Sequence, residues 1–220
     1  MLIINKFIYI ILISMTFASQ DPIGSFTISR LHYGGGGDWY SDKSSIPNLL
    51  NFVQKNTNVS SSSEELIVKI GDDLFYSNSY FYMTGHGNIK LTPEEIIILR
   101  DHLINGAFLH ADDNYGMDAS FRKLISELFP DKTLIEIPPY HDLFNVFFKF
   151  PNGLPKIHKH NNKRPQALGI FHEDRLILLY TYECDLGDGW ENSRVHNIDE
   201  ELRQKALQMG SNIIIYSLIQ

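Results

Sequence analysis

Apolar positions along this chain follow two rhythms in turn, and their alternation predicts the architecture. Phe26-Thr27-Ile28-Ser29-Arg30-Leu31 has a period of two and runs into His32-Tyr33 and four glycines, Gly34 to Gly37, as a strand entering a loop does. Ile46, Leu49, Leu50 and Val53 then recur at helical spacing, with Ser45 as the N-cap and Pro47 in the first turn. Leu66 to Ile70 predicts a second strand, and the apolar run through Phe81-Tyr82-Met83 a third, stopping at Thr84-Gly85-His86-Gly87. Thr92, Pro93 and Glu95 spell a capping box ahead of Ile96, Leu99 and Leu103, and Asn105-Gly106 a C-cap.

The alternation continues to the end of the chain. Ala107 to Ala111 predicts a strand, and Asp118 a cap for a helix carrying Phe121, Leu124, Ile125 and Leu128, stopped by Pro130. Thr133 to Ile137 predicts another strand, and Leu143 to Arg164 an irregular excursion. Ala167 to Phe171 and Leu176 to Tyr182 bracket a hairpin turn. Asp185 to Glu191 reads as a loop of glycines and acids. Asp199 predicts a last helix through Leu202, Ala206 and Met209 that ends at Gly210, and Ile213 to Leu218 a closing strand. Strands that alternate with helices of this length imply an α/β fold: a mostly parallel sheet with helices on both faces and a late antiparallel hairpin.

Composition changes this picture at one end. Residues Met1 to about Ser19 carry one charge, Lys6, an apolar run from Phe7 to Phe17, and the small residues of Thr16-Phe17-Ala18, the layout of a cleaved secretory signal. The expected organisation is therefore a signal peptide over 1–19 and a single domain over 20–220, with no stable membrane span after cleavage. The chain has 19 basic and 26 acidic side chains, net −7, and loss of Lys6 takes it to −8. That balance gives no footing for nucleic acid. The lone Cys184 cannot form an internal disulfide.

An open α/β sheet binds ligands beyond the carboxyl ends of its strands, and the unusual polar residues are predicted to gather there. Arg30, His32 and the glycines follow the first strand, with Asp38 and Trp39 close behind; Gly85, His86 and Gly87 follow the third. Asp112 and Asp113 follow the fourth strand, His141 the fifth, and Asp188 and Trp190 the hairpin. A thiol nucleophile is disfavoured, because the bend at Ala111-Asp112-Asp113 has no Cys, Ser or Thr and the carboxylates beside Cys184 would raise its pKa. His86, His110, Asp112, Asp113 and His141 could hold a hydrolytic metal ion, but they form no compact ligand motif, so no metal and no cofactor is assigned. The bland alternative has His86 bonding the backbone of a tight turn and Asp112-Asp113 capping the next helix. Gly34 to Gly37 lacks the spacing and the Lys-Ser/Thr pair of a phosphate loop, which leaves a mobile linker over the sheet edge.

The pieces Asp38-Trp39-Tyr40, Tyr82-Met83-Thr84-Gly85-His86-Gly87, Gly106-Ala107-Phe108-Leu109, Asp112-Asp113 and Asp185-Leu186-Gly187-Asp188-Gly189-Trp190-Glu191 resemble the bacterial family DUF4159. The resemblance extends over the whole mature chain. It implies a flavodoxin-like sheet similar to class I glutamine amidotransferases and ThuA-like proteins, and partners of the von Willebrand factor A and MoxR-type envelope systems. The expectation is a periplasmic or secreted, non-catalytic binding or envelope-assembly module, with an envelope protein or a small polar ligand as partner. The alternative is a hydrolase, metal-assisted or not, acting on a carbohydrate or peptide at the same edge.

Overall fold

A computed structural model describes residues 24–160 and 162–220; the predicted signal segment lies outside the described residues. Seven strands form one sheet: β1 (Ser29–Leu31), β2 (Leu66–Val68), β3 (Tyr80–Met83), β4 (Phe108–Asp112), β5 (Ile135–Glu136), β6 (Gln166–His172) and β7 (Arg175–Tyr182). Their order is β2-β1-β3-β4-β7-β6-β5. The first four strands and β7 are mutually parallel, and β6 runs antiparallel to both β7 and β5. The leading part is the doubly wound 2-1-3-4 order, with β7 in the fifth place, so the α/β flavodoxin-like expectation holds.

Alternation along the strands divides the core into two layers. Phe81, Met83, Leu109, Ala111 and Tyr180 face α3 (Pro93–Ile104) and α4 (Asp118–Leu128), which bring Leu99, Leu103, Phe121 and Leu124. On the other face Tyr80, Tyr82, Phe108 and Leu179 pack against α1 (Ser45–Asn56) and α7 (Glu200–Ile219). Thr92 and Glu95 make the capping box that their spacing predicts. Short helices α2 (Asp73–Tyr76), α5 (Leu186–Trp190) and α6 (Ser193–His196) fill the connections.

Two elements depart from the sequence pattern. Ile213 to Leu218 is no strand: α7 runs unbroken through Gly210 to Ile219. The β-branched run would favour a strand by propensity, but Ala206, Met209, Gly210, Ile213 and Ile214 supply the helical stripe that α1 and α5 bury. Gly210 is not a stop but a point of close approach, since a Cβ there would meet Leu49 at 2.7 Å and Trp190 at 2.9 Å. The second departure is the glycine-acid segment, which forms α5 rather than a loop. A Cβ on Gly189 would lie 2.4 Å from the Cβ of Ala206, so its glycine seats α5 directly on α7.

Candidate functional site

The carboxyl ends of β1, β3, β4 and β7 share one edge, and the segments leaving them build the site. Arg30, at 1 % exposure, is its frame. Its guanidinium pairs with Glu65 at 2.7 Å and donates to the carbonyls of Trp39, Ser41 and Asp42, fixing the β1–α1 connection. The glycine run does not hang free as a linker. Lys90 N donates to Gly34 O and Gly37 N to Asn88 O, laying Gly34 to Gly37 against the 86–90 segment. Gly35, at φ +105°, would carry a Cβ 2.7 Å from Lys90 N, so the approach demands glycine. Asp38 then accepts from the His86 backbone N–H and sits 3.0 Å from His86 Nδ1. Burial raises the Asp38 pKa, but these bonds outweigh it and hold the carboxyl below its ordinary value.

Beneath this rim lies a floor of buried carboxyls. Asp112 accepts from Gly187 N at 2.7 Å, from the Thr181 hydroxyl and, at 3.4 Å, from Tyr82. Thr181 Oγ1 also lies 3.3 Å from Ala111 O and 3.0 Å from His110 Nε2. Burial depresses His110 to about 3 and pushes Asp112 up to about 7. Asp113 rises to about 6, chiefly by burial and then by Asp118. Asp185 rises to about 9 by burial, with Asp112 and Asp188 adding to it. Asp42 and Asp188 are both displaced upward, mainly by burial, with the charge of Asp42 adding to the shift of Asp188.

Imidazoles form the mouth over that floor. His158 Nδ1 lies 2.5 Å from Asp188 Oδ2, His160 Nε2 3.1 Å from Asp185 Oδ2, and His196 Nε2 3.4 Å from Asp188 Oδ1. The last contact is too misaligned for a hydrogen bond, and the nitrogen is buried without one. His158 belongs to two donor sets, one with His160 and Asp185 and one with Asp188 and His196; within each set the ligand atoms lie within 4.8 Å of one another. Tyr115 stacks on His160 at 4.6 Å, and a Cβ on the adjacent Gly116 would come within 3.8 Å of Gly87 N, beside His86. Asp42, Tyr115, Glu183 and Asp185 all have left-handed backbones, φ 55° to 59°, a conformation costly for each.

Of the residues marked by the sequence, Asp38, Gly85, His86, Gly87, Asp112, Asp113 and Asp188 come together at this edge. His32 stacks on Trp39 at 4.2 Å beside it. Arg30 and Trp190 are buried supports. Trp190 is fully enclosed, donates to Ala206 O at 2.8 Å and packs on Tyr82 and His110. His141 goes elsewhere: it packs on Tyr216 and Phe171, near the start of β7 at the opposite end of the sheet, because the 3₁₀ turn Asp142–Phe144 folds back under α7. Cys184 is buried, donates to Pro155 O, and has its pKa pushed up by burial and then by Asp112, so it stays a thiol. Asp42, Asn114, Tyr115, His158, His160 and His196 carry no mark in the sequence, and Asp185 stands out there only as the start of the glycine-acid segment. The single signal for them is the alternate pair in His158-Lys159-His160. A separate cavity of about 430 Å³ beside α4, lined by Gly35, Lys90, Ser120 and Glu127, holds none of these groups.

Residues 27–218 match the family model of the domain of unknown function DUF4159. The chain belongs to the DUF4159 family. No curated protein matches it. Within this DUF4159 chain the Asp185–Glu191 segment divides its labour. Gly187 and Gly189 permit close contact, Trp190 fills the core, and Glu191 takes Ser44 N and Oγ to cap α1. Asp185 and Asp188 alone turn to the mouth. Among the described residues no helix is long and apolar enough to cross a membrane.

Proposed function

We propose that this DUF4159 chain is a hydrolase acting on a polar substrate, a carbohydrate or a peptide, at the carboxyl edge of its sheet. The observation that carries this reading is the His86–Asp38 pair standing at the rim of the carboxyl floor. Asp38 engages both the backbone N–H and Nδ1 of His86, which leaves Nε2 as the free nitrogen of a ring whose side chain is 55 % exposed. A carboxylate that orients an imidazole is the arrangement of a general base with its positioning residue. In the proposed step the oxygen of water adds to the electrophilic carbon of the substrate while His86 Nε2 takes the water's proton. The same proton passes to the leaving heteroatom as the bond to it breaks.

A second reading, an exported binding or assembly module without chemistry, is favoured by a different observation. The strand-to-helix bend at Asp112 offers no nucleophile, and Cys184 is enclosed. Export itself rests on the composition of Met1 to Ser19. Turnover of nitrophenyl glycosides and fluorogenic peptides by the full chain decides between the two. The hydrolase reading requires turnover that falls by about 10²- to 10⁴-fold in kcat in His86→Ala with an unchanged melting temperature. Turnover that survives the substitution, or none on either panel, ends it.

A further inference from the structure

We propose that His158, Asp188 and His196 bind one divalent transition-metal ion at the mouth of the carboxyl floor. Three side chains from two separate segments converge there. Asp188 presents a different oxygen to each imidazole, Oδ2 to His158 and Oδ1 to His196, and the two rings stand 5.3 Å apart. Two imidazoles and a carboxylate are a donor set suited to zinc, cobalt or iron(II), and three protein ligands leave coordination positions for water or substrate.

Independent observations point to a missing ligand. The Nε2 atom of His196 is buried with no hydrogen-bond partner. Asn114 is 2 % exposed, and its amide oxygen also has no partner, although its Nδ2 donates to Asp42 Oδ2 at 2.5 Å. Nearby protein cations are engaged elsewhere: Lys156 pairs with Glu183 at 3.2 Å, and Arg30 with Glu65 and loop carbonyls. A divalent cation supplies the positive charge that this enclosure otherwise lacks.

His160 and Asp185 form the competing set around His158. The His196 set is preferred because His160 is already paired with Asp185 and stacked under Tyr115. The site adjoins the proposed hydrolytic rim and deepens that reading, but binding does not depend on turnover.

Full-length chain stripped with chelator and then dialysed is titrated with Zn²⁺ by calorimetry and with Co²⁺ by visible absorption. The expected result is one equivalent bound, with cobalt d–d bands, and affinity at least about 100-fold weaker in both H158A and H196A. His86→Ala should bind as the parent does. Melting curves of the stripped variants matching the stripped parent show that the loss is not unfolding, and H196Q gives a second, less disruptive removal of the same ligand. No stoichiometric binding, or undiminished binding by H158A, overturns the proposal. A loss in H160A that exceeds the loss in H196A overturns the ligand assignment. Metal binding without any hydrolysis removes the hydrolase and leaves the site standing; hydrolysis by a chain that binds no metal does the reverse.

Discussion

The two ends of the sheet solve the same problem in opposite ways. At the amino end of the parallel strands, polar side chains close helix and strand termini. Arg175 donates to the carbonyls of Leu103, Ile104 and Ala107, where α3 ends. Gln220 accepts from Leu176 N and donates to Leu176 O, both at 2.9 Å, and His102 contacts Asn78 O at 2.8 Å. Cation meets carbonyl in these contacts, and the exceptions at this end are Ser29 Oγ, buried without a partner, and the left-handed Glu173. At the carboxyl end carboxyl meets carboxyl, His110 Nδ1, His196 Nε2, Asp113 Oδ1 and Asn114 Oδ1 are buried without partners, and Asp42, Tyr115, Glu183, Asp185 and Asn197 hold left-handed backbones. One end is optimised for stability, the other is held in a costly arrangement by its surroundings, and such local conflict concentrates at functional sites.

The largest test of that contrast is a pH dependence. Asp112 rises from 3.8 to about 7, chiefly through burial. Below pH 4 it is protonated in both folded and unfolded chains, and its contribution is complete. Between pH 4 and 7 the unfolded chain ionises first, so stability drains as pH rises, by up to about 4 kcal/mol. Asp112→Asn carries no such proton. Its amide presents one acceptor and one donor group at every pH, much as the protonated carboxyl does, and it should gain on the parent from pH 4 to 7. His110, depressed to about 3, pulls the other way in both chains, and this cancels in the difference. Urea unfolding at the two pH values measures it, and a difference that stays constant would show that Asp112 is not held protonated.

The opposite end answers to a different variant. Arg175→Ala removes a half-buried guanidinium from three carbonyls and uncovers the negative end of α3. A loss of about 2–3 kcal/mol is expected, with metal affinity and turnover unchanged. If Arg175→Ala weakened metal binding, the two ends would be coupled through β7 and the contrast between them would lose its meaning.

Why one end was legible and the other was not follows from the same chemistry. Periodicity reports burial, so Leu49, Leu99 and Phe121 announced their helices, and Thr92 with Glu95 announced a cap. It failed at Ile213–Leu218, where the apolar run fits either period and only contact with Trp190 and Leu49 decides. Asp38, His86, Asp112 and Asp188 were marked because they stand at strand ends or in turns that the pattern locates. His158 and His160 sit in irregular chain and His196 ends the short α6, at no spacing that a ligand motif prescribes, and three-dimensional folding alone brings them to Asp185 and Asp188. His141 shows the converse: its position after a strand suggested the edge, but β5 has only two residues and the next turn carries the ring away.

The smallest expected effect concerns what holds the imidazole loop. Arg164 forms a fork on Glu136, 2.5 and 2.8 Å, at the exposed outer side of β5 and β6, just after the segment that carries His158 and His160. The same segment is seated inward by Ile157 N on Cys184 O at 2.9 Å and by Lys156 on Glu183. An exposed fork is screened by salt and pays for its own side-chain ordering. Arg164→Gln should therefore leave the melting temperature unchanged in high salt, and should shift Zn²⁺ affinity by less than about threefold. A larger loss would mean that the imidazoles are positioned from the rim. The inward seat, and with it the pairing of His158 to Asp188, would then not be what sets the site.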